Sequence, residues 1–350
     1  MKIAAAATAF PSEWYPQEQI SERLVSLLGM PEGRAERLRE LHRNCGIDGR
    51  HLTLPLDAYA DLDGFTDANQ AWLRGAVQLG EEACLKALQD AGVRPDEVDA
   101  IFFSTVTGLA SPSVDARLVG RLGLRSDVRR VPMFGLGCVA GAAAVARAAD
   151  FVRSDPDAVA LVLTVELCSL TLQTDDHSVA NLISVGLFGD GAAAAVVVGS
   201  GRDAAGPTIE ATRSVFYPDT EDMMGWHIGA HGFRIVLSAE VPTVARERVP
   251  KDVDAFLAER DLSRADVQRW IAHPGGPKVL RGLQEGLGLD DDALAISWQS
   301  LARAGNLSSS SVLMILAETL RQRPGDPGDV GVMLAMGPGF CSELLLLRWS

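Results

Sequence analysis

The chain reads VPMFGLGCVAGA over residues 131–142. An apolar, strand-like run at residues 128–134 stops at two closely spaced glycines, and a helix-favouring run at residues 142–152 follows. Cys138 therefore lies on a sharp strand-to-helix turn, where unpaired N–H groups and the helix dipole favour a thiolate. A buried structural cysteine fits the same pattern, because cysteine behaves as a small hydrophobic residue. The turn alone leaves a nucleophile and a core residue as alternatives.

Length and charge limit the classes of function. A chain of 350 residues is too long for one small core and indicates two domains or two fused halves. The net charge of -14 argues against a nucleic-acid partner, because no broad basic face is available. Residues 32–51 are a local exception with five arginines against four acids. A solvated amphipathic helix explains most of these arginines.

The cysteines and the apolar runs predict the compartment. The five cysteines are an odd number without any CxxC pair, which predicts free thiols in a reducing compartment and neither zinc nor disulfides. The apolar start is short and is followed by Pro11 and Glu13, so a buried strand is expected there rather than a signal peptide. The uncharged run at residues 131–146 is too short and glycine-rich to span a bilayer. We expect a cytoplasmic protein without a membrane partner.

Hydrophobic periodicity predicts alternating helices and strands. The strongest helix covers residues 72–91, with an apolar stripe and Gly92 as its terminator. The polar stretch at residues 57–70 is predicted to be a loop. Further helices are expected at residues 18–28, 34–43, 142–152, 179–187 and 312–320, and buried strands at residues 98–106, 159–166, 191–198 and 343–349.

The second half of the chain repeats the pattern of the first. The segment at residues 88–98, a helix end and a polar turn before a strand, matches residues 257–267 before a second strand. The same offset carries Cys138 to within one residue of Asn306, which also precedes a predicted helix. An internal duplication of an α/β unit explains this repeat. We expect two halves, residues 1–205 with the cysteine and residues 206–350 with the second set of polar residues.

Three polar residues are placed at strand ends or helix starts. Cys138 precedes a helix, His273 lies in Ala-His-Pro-Gly-Gly-Pro, where the chain must leave a strand, and Asn306 follows Gly305 before a helix. A hydrogen-bonded structural histidine and a helix-capping asparagine remain alternatives. Together, the three residues suit acyl transfer through a thioester, in which a thiolate attacks and the imidazole and amide stabilise an oxyanion.

Five motifs resemble the thiolase superfamily and, more narrowly, the type III polyketide synthases, the chalcone-synthase-like family. They are Gly-Cys138-Val-Ala-Gly, His273-Pro-Gly-Gly-Pro-Lys, Gly-Asn306-Leu-Ser308-Ser, Phe188-Gly-Asp-Gly-Ala-Ala and Gly337-Pro338-Gly339-Phe340. They occur in the family's order over nearly the whole chain. The cysteine, histidine and asparagine also fit ketoacyl synthases that initiate fatty-acid synthesis, but the Gly-Pro-Gly-Phe turn favours the type III family.

The resemblance implies a thiolase-like duplicated α/β fold with a five-layered αβαβα core, in a homodimer. It implies that an acyl-CoA starter is loaded on Cys138 and that malonyl-CoA loses its carboxylate to give an enolate. Repeated Claisen condensation and cyclisation would follow without a carrier protein, a metal or a redox cofactor. By this resemblance His273 and Asn306 hold the malonyl thioester and its enolate. The substrate pocket would include Phe188, where carboxylate is lost, and Ser308, Gly337, Pro338, Gly339 and Phe340.

The chain departs from the plant members of that family. Plant enzymes carry a second aromatic gatekeeper where this chain has Ile235, and a glycine where it has Trp226, whereas Thr171 matches a plant pocket position. The stretch GWHIGAHGFRIVLS at residues 225–238 resembles bacterial alkylpyrone and alkylresorcinol synthases. We therefore expect an aliphatic acyl-CoA starter of medium or long chain and a pyrone or resorcinol-type product.

Several alternatives remain open. A tetrahydroxynaphthalene-type synthase would use malonyl-CoA as starter, although such enzymes carry a cysteine where this chain has Ser111. A ketoacyl synthase would need a carrier protein, and a non-catalytic subunit of a condensing heterodimer would usually lack the nucleophile. For CoA binding, Arg43 and Arg50 are the predicted residues, because they flank Asn-Cys-Gly at positions where the family keeps basic side chains.

Overall fold

The structure is a computed structural model that describes residues 1–322 and 325–349. Over these residues it is a mixed α/β protein. Its strands are β1 (Lys2–Ala9), β2 (Glu13–Pro16), β3 (Gly49–Leu52), β4 (Ala100–Thr105), β5 (Arg129–Phe134), β6 (Val159–Leu167), β7 (Asp190–Val198), β8 (Thr208–Phe216), β9 (Met224–Gly229), β10 (Gly232–Leu237), β11 (Arg269–Ala272), β12 (Val330–Gly337) and β13 (Cys341–Arg348).

The helices connect and cover these strands. They are α1 (Gln17–Leu27), α2 (Glu32–Arg43), α3 (Gly64–Ala91), α4 (Val114–Leu122), α5 (Ala140–Arg153), α6 (Val179–Leu187), α7 (Val241–Glu247), α8 (Val249–Ala258), α9 (Pro277–Leu287), α10 (Ala295–Ala304) and α11 (Ser309–Gln322). Short 3-10 turns occur at Leu56–Asp61, Pro95–Glu97, Gly137–Val139, Cys168–Thr171 and Arg264–Asp266.

One sheet of nine strands in the described residues carries an internal repeat. Its order is β11-β12-β13-β8-β1-β7-β6-β4-β5. From β1 outward the pairings to β7, β6 and β4 are antiparallel, antiparallel and parallel. From β8 outward the pairings to β13, β12 and β11 follow the same sequence. The two series meet where Lys2 pairs with Thr208. A duplicated α/β unit produces this arrangement.

The layers follow from which faces are apolar. Strands β6 and β7 are buried along their whole length, as expected for strands with helices on both faces. Helix α3 covers β1, β6 and β7 from outside, and helices α7 to α10 pack into a separate core with the second half of the sheet. Helices α5 and α11 lie between the two halves and share a third core. The result is the five-layered αβαβα arrangement of the thiolase-like fold.

The two central helices approach each other closely, and this contact positions the residues discussed below. A Cβ atom added to Gly141 would lie 2.3 Å from the carbonyl oxygen of Ser309. Only glycine therefore permits the crossing at this point. Since α5 follows Cys138 and α11 follows Asn306, the crossing brings the starts of both helices together.

The predicted loop at residues 57–70 is wrong. A 3-10 turn covers Leu56–Asp61, and α3 begins at Gly64, eight residues before the predicted helix start. The first turns of α3 are polar because they lie near the surface, so hydrophobic periodicity starts only where the helix meets the sheet. The predicted terminator Gly92 is confirmed, with a left-handed φ of 65°.

Membrane-spanning helices and metal-binding clusters are both absent from the described residues. No helix in residues 1–322 and 325–349 is long and apolar enough to cross a membrane. Within the same ranges, no group of three or more His, Cys, Asp or Glu side chains could hold a metal ion. All five cysteines are free thiols.

Candidate active site

Cys138 lies in the 3-10 turn Gly137–Val139, which leads directly into α5. The predicted strand-to-helix turn is therefore present. Gly137 has φ 53°, and a Cβ atom at this position would lie 2.6 Å from Cδ of Pro338. Glycine thus satisfies both the backbone conformation and the close contact. The turn that carries Cys138 packs directly on the predicted Gly-Pro-Gly turn.

Ser308 links Cys138 to Asn306. The Cys138 thiol donates to Ser308 Oγ at 3.5 Å, and the backbone N–H of Ser308 donates to Asn306 Oδ1 at 2.7 Å. Ser308 adopts φ 47°, a left-handed conformation that is uncommon for a residue with a side chain. Such strained conformations concentrate at functional sites. Here the strain directs the amide of Ser308 toward Asn306 and its hydroxyl toward Cys138.

Asn306 is held by the backbone next to Phe188. Its N–H donates to the carbonyl of Leu187 at 2.9 Å, and its own carbonyl accepts from the N–H of Gly189 at 3.0 Å. The side-chain Nδ2 makes one long hydrogen bond, 3.4 Å, to the carbonyl of Gly275. Because an amide nitrogen carries two hydrogens, one donor remains for a ligand.

His273 follows β11 and precedes Pro274. Its backbone N–H continues the parallel pairing by donating to the carbonyl of Leu334 at 2.9 Å, and its carbonyl accepts from Gly275 at 3.0 Å. The side chain is 2% exposed, yet neither Nδ1 nor Nε2 has a hydrogen-bond partner in the part of the chain that the structure describes. A buried imidazole without a partner is unusual and indicates a position that a ligand completes.

Contacts thus connect the three predicted residues. Cys138 contacts Ser308, Ser308 contacts Asn306, and Asn306 contacts Gly275, which hydrogen-bonds the carbonyl of His273. These contacts bring together a thiol, an amide donor and an imidazole whose nitrogens lack partners among the described residues. Such a set of groups can support nucleophilic acyl transfer.

The pKa of the Cys138 thiol depends mainly on its burial. Although part of the residue is exposed, burial of the sulfur raises the pKa of Cys138 to about 12, and the hydrogen bond to Ser308 lowers it only in part. Burial also lowers the pKa of His273 to about 3. Burial therefore opposes the helix dipole, and a thiolate favoured by both the helix start and His273 stays a prediction. A thiolate in this site requires that a neighbouring group take up the proton.

Only the first residues of the predicted turn at residues 337–340 lie next to the turn that carries Cys138. A Cβ atom on Gly337 would lie 2.5 Å from the carbonyl oxygen of Leu136, and Pro338 contacts Gly137. Gly339 has φ 71° and faces the Phe216 ring. Phe340, however, is completely buried in the core of the second half, where it packs against Tyr217 at 5.6 Å. Its predicted pocket role is wrong, because its side chain is directed into that core.

A cavity lies beside the Phe188 segment. Four of the predicted pocket residues line it, namely Thr171, Phe188, Trp226 and Ile235. Trp226 and Ile235 are directly paired across β9 and β10, which places both side chains on one face. The remaining lining combines aliphatic and polar side chains, and more than half of it comes from α1, β3 and the turn at residues 56–61. The contribution of α1 and Tyr59 was not predicted, since an amphipathic surface helix carries the same sequence signal.

Arg50 does not match its predicted role. Its side chain is 2% exposed, so it cannot contact CoA on the protein surface. It lies inside the molecule, where it donates to the carbonyl of Phe188 and to Gln17 Oε1. Burial lowers its pKa to about 10. Arg43 is exposed and forms a salt bridge to Glu36 at 2.8 Å.

Ser111 lies in an exposed loop before α4 and lines neither this cavity nor a second one beside Thr171.

Glu166, at the end of β6, was not predicted. It accepts hydrogen bonds from the Val106 N–H, Thr107 Oγ1 and Ser309 Oγ. Burial raises its pKa to about 7. A single acid at the end of an apolar strand was its only sequence signal.

Comparison with known proteins gives matches over the whole chain. The family profile described as "Chalcone and stilbene synthases, N-terminal domain" matches residues 2–202, and that of the C-terminal domain matches residues 208–349. A relative from Streptomyces peucetius subsp. caesius, "1,3,6,8-tetrahydroxynaphthalene synthase", is 49% identical over 99% of this chain and 93% of its own length.

Two further comparisons extend this result. The "Alpha-pyrone synthesis polyketide synthase-like Pks18" of Mycobacterium tuberculosis is 30% identical over 98% of this chain and 90% of its own length. The crystal structure of 1,3,6,8-tetrahydroxynaphthalene synthase from Streptomyces coelicolor A3(2) superposes with a TM-score of 0.94 at 31% identity. The superposition covers 100% of this chain and 99% of that chain.

Proposed function

Because this chain belongs to the chalcone and stilbene synthase family and is a type III polyketide synthase, we propose that it uses malonyl-CoA both as starter and as extender. The product would be of the 1,3,6,8-tetrahydroxynaphthalene type. The observation that carries this proposal is the 49% identity to a synthase of that name over 99% of the chain. Family membership also favours this function over the ketoacyl synthase and the non-catalytic subunit.

In the proposed loading step Cys138 is the nucleophile. Its sulfur attacks the thioester carbonyl of the starter, the bond to the CoA sulfur breaks, and the CoA thiol leaves. The Cys138 proton must go elsewhere during the attack, because burial raises the pKa of this thiol. His273 is the acceptor that we propose, since both of its ring nitrogens lack a partner among the described residues. Burial lowers the pKa of His273, but a thiolate beside the imidazolium would oppose that effect because each charge stabilises the other.

In the proposed extension step Asn306 and His273 hold the malonyl thioester. Loss of carbon dioxide leaves an enolate whose oxygen accepts hydrogen bonds from Asn306 Nδ2 and the imidazole. The enolate carbon attacks the thioester on Cys138, so a carbon–carbon bond forms, the carbon–sulfur bond breaks, and the longer chain remains on CoA. Phe188 places an apolar ring where the carboxylate is lost, which disfavours the charged reactant.

The proposed role of His273 is testable through the reactivity of Cys138. His273→Gln is expected to slow alkylation of Cys138 by iodoacetamide at pH 7 at least about tenfold, because glutamine forms hydrogen bonds but takes up no proton. With the thiol pKa raised, the rate in the variant should climb steadily up to pH 10. Mass spectrometry of the Cys138 peptide reads the rate. Cys341 in the same protein is the internal control, and equal rates at Cys138 would contradict the proposal.

We also propose that the chain acts as a homodimer of duplicated halves, residues 1–205 and 206–350. The supporting observations are the repeated strand order and the free edge of β5, which carries Phe134 at 48% exposure. The Ser111 loop lies at the same edge, because Arg130 Nη2 donates to Ser113 Oγ at 3.2 Å.

The free thiols support the cytoplasm as the proposed compartment. Arg43 remains the proposed CoA contact. We expect no metal or redox cofactor.

An aliphatic acyl-CoA starter with a pyrone or resorcinol-type product is the second candidate. The cavity beside Phe188 favours it, because leucine, isoleucine and valine are the largest class of side chains in its wall. Each methylene buried there would add about 0.8 kcal/mol of binding free energy.

Incubation of the wild-type protein with malonyl-CoA alone tests the first candidate. We expect a tetrahydroxynaphthalene-type product, identified by mass spectrometry, without any other acyl-CoA. Parallel reactions add hexanoyl-, decanoyl- or 4-coumaroyl-CoA, and another reaction replaces malonyl-CoA by malonyl-carrier protein. Product formation only with an aliphatic acyl-CoA would contradict the first candidate and support the second. A requirement for the carrier protein would contradict both.

A further inference from the structure

The cavity beside Phe188 is lined by an arginine with one nitrogen that lacks a hydrogen-bond partner among the described residues. Arg50 lines this cavity and is almost completely buried. Its Nε donates to Gln17 Oε1 at 3.1 Å, and its Nη1 donates to the Phe188 carbonyl. Its Nη2 is buried and has no hydrogen-bond partner in residues 1–322 and 325–349. A guanidinium so enclosed normally uses all its donors, so the free Nη2 needs an explanation.

The position of the guanidinium is fixed by its surroundings. Strand β3 carries Arg50, and the side chain runs past Gly305, where an added Cβ atom would lie 2.9 Å from Arg50 Cδ. Gly305 immediately precedes Asn306. The guanidinium therefore lies between the segment of Asn306 and Phe188 on one side and the cavity on the other, and it has little room to rotate away.

No protein carboxylate in the described residues forms a salt bridge with Arg50 at 4.0 Å or less. Asp190 attracts it from a longer distance and raises its pKa, but burial lowers that pKa to about 10, so Arg50 stays protonated at neutral pH. The oxygens of Asp190 already accept hydrogen bonds from Thr53 and Ser169, at 2.5 to 2.8 Å. The fixed geometry leaves Nη2 without an acceptor among the described residues, on a side chain that lines the cavity.

The side chains that line the cavity determine which kind of ligand could accept a hydrogen bond from Arg50 Nη2. The wall of the cavity includes the aliphatic side chains of Leu24, Leu52, Leu56 and Val185. A saturated alkyl chain would fit this wall but would leave Nη2 unpaired. A poly-β-ketone chain has a carbonyl oxygen on every second carbon, so it can place an acceptor near Nη2. Because Asp190 compensates the charge of Arg50, a neutral carbonyl suits the site better than a second anion.

We propose that Arg50 Nη2 donates a hydrogen bond to a carbonyl oxygen of the growing polyketide chain in this cavity. Arg50 is thereby a specificity-determining residue that favours oxygenated intermediates over alkyl chains of equal length. The proposal rests on the proposed function in one respect, namely that the growing chain enters the cavity beside Phe188. It does not depend on the identity of the final product.

The test compares two thioesters that differ only in oxygenation, 3,5-dioxohexanoyl and hexanoyl N-acetylcysteamine. The measured quantity is kcat/KM for their extension by malonyl-CoA. Arg50→Met is expected to lower this value about 10- to 100-fold for the dioxo ester, while the value for the hexanoyl ester changes less than about threefold. The control variant Gln17→Leu removes the contact to Nε but leaves Nη2, so it should affect both esters equally. Equal losses for both esters in Arg50→Met would overturn the proposal.

A second measurement covers the case in which Arg50→Met does not fold. A crystal structure of the Cys138→Ala protein with the dioxo ester should show a carbonyl oxygen within hydrogen-bond distance of Nη2. A water on Nη2 with the ester bound elsewhere would overturn the proposal. The product that the wild-type protein forms from malonyl-CoA alone is identified separately by mass spectrometry. If the enzyme makes an alkylpyrone but Arg50 still discriminates between the esters, only the proposed product is wrong.

Discussion

Replacing Cys138 with alanine is expected to abolish chain extension while slow decarboxylation of malonyl-CoA persists. Extension needs a thioester on the sulfur, so its rate should fall at least about 10⁴-fold, to background. Decarboxylation needs only the enolate oxygen to be stabilised, and the groups proposed for that role, Asn306 Nδ2 and the His273 ring, remain. Two measurements on one sample check this result, namely release of labelled carbon dioxide and polyketide product by mass spectrometry.

The control for this prediction is Cys341→Ala. Cys341 is partly buried and its sulfur contacts the carbonyls of Gly337 and Pro338, so the variant changes a thiol close to the Gly-Pro-Gly turn without removing the proposed nucleophile. Both activities should survive in it. If extension survived in Cys138→Ala, the nucleophile would be assigned wrongly. If decarboxylation disappeared together with extension, the two roles could not be separated in this way.

The sequence was most informative where glycine and proline restrict the backbone. The turn before Cys138 and the break after His273 carry these residues, and this pattern predicts that both side chains lie at the ends of helices or strands. The internal repeat related Cys138 to Asn306. The contact chain from Cys138 through Ser308 to Asn306 agrees with that relation, because the two helices start side by side.

The sequence was least informative about burial and desolvation. Arg50 follows a stretch rich in surface arginines, and nothing local distinguishes it from Arg43, yet one is enclosed and the other is exposed. Phe340 adjoins the Gly-Pro-Gly turn, but its side chain points into the opposite core. The Cys138 thiol is a third example, since the helix start favours a thiolate, whereas burial in the packed structure raises the pKa of this thiol. Each outcome depends on residues distant in sequence.

Asn306→Asp is the variant expected to separate enolate stabilisation from folding and loading. An aspartate has nearly the same shape and keeps an oxygen that accepts the Ser308 N–H, at 2.7 Å in the native protein. It loses the Nδ2 donor and adds a negative charge that repels an enolate. Removal of one oxyanion donor typically costs about 2.7–4 kcal/mol, so decarboxylation and extension should both fall at least about 10²- to 10³-fold.

The same variant should still accept an acyl group on Cys138, because loading proceeds without an enolate. Mass spectrometry of the intact protein after incubation with hexanoyl-CoA measures acylation of Cys138. Thermal unfolding shows whether the variant is folded. Ser311→Ala is the matched control, because Ser311 Oγ contacts Asn306 Oδ1 at 3.4 Å and has no contact with the donor Nδ2. Cys138→Ala and Asn306→Asp should therefore show opposite patterns, since the first loses loading and keeps decarboxylation. Normal decarboxylation in Asn306→Asp would show that another group stabilises the enolate, and His273 would then be the remaining donor.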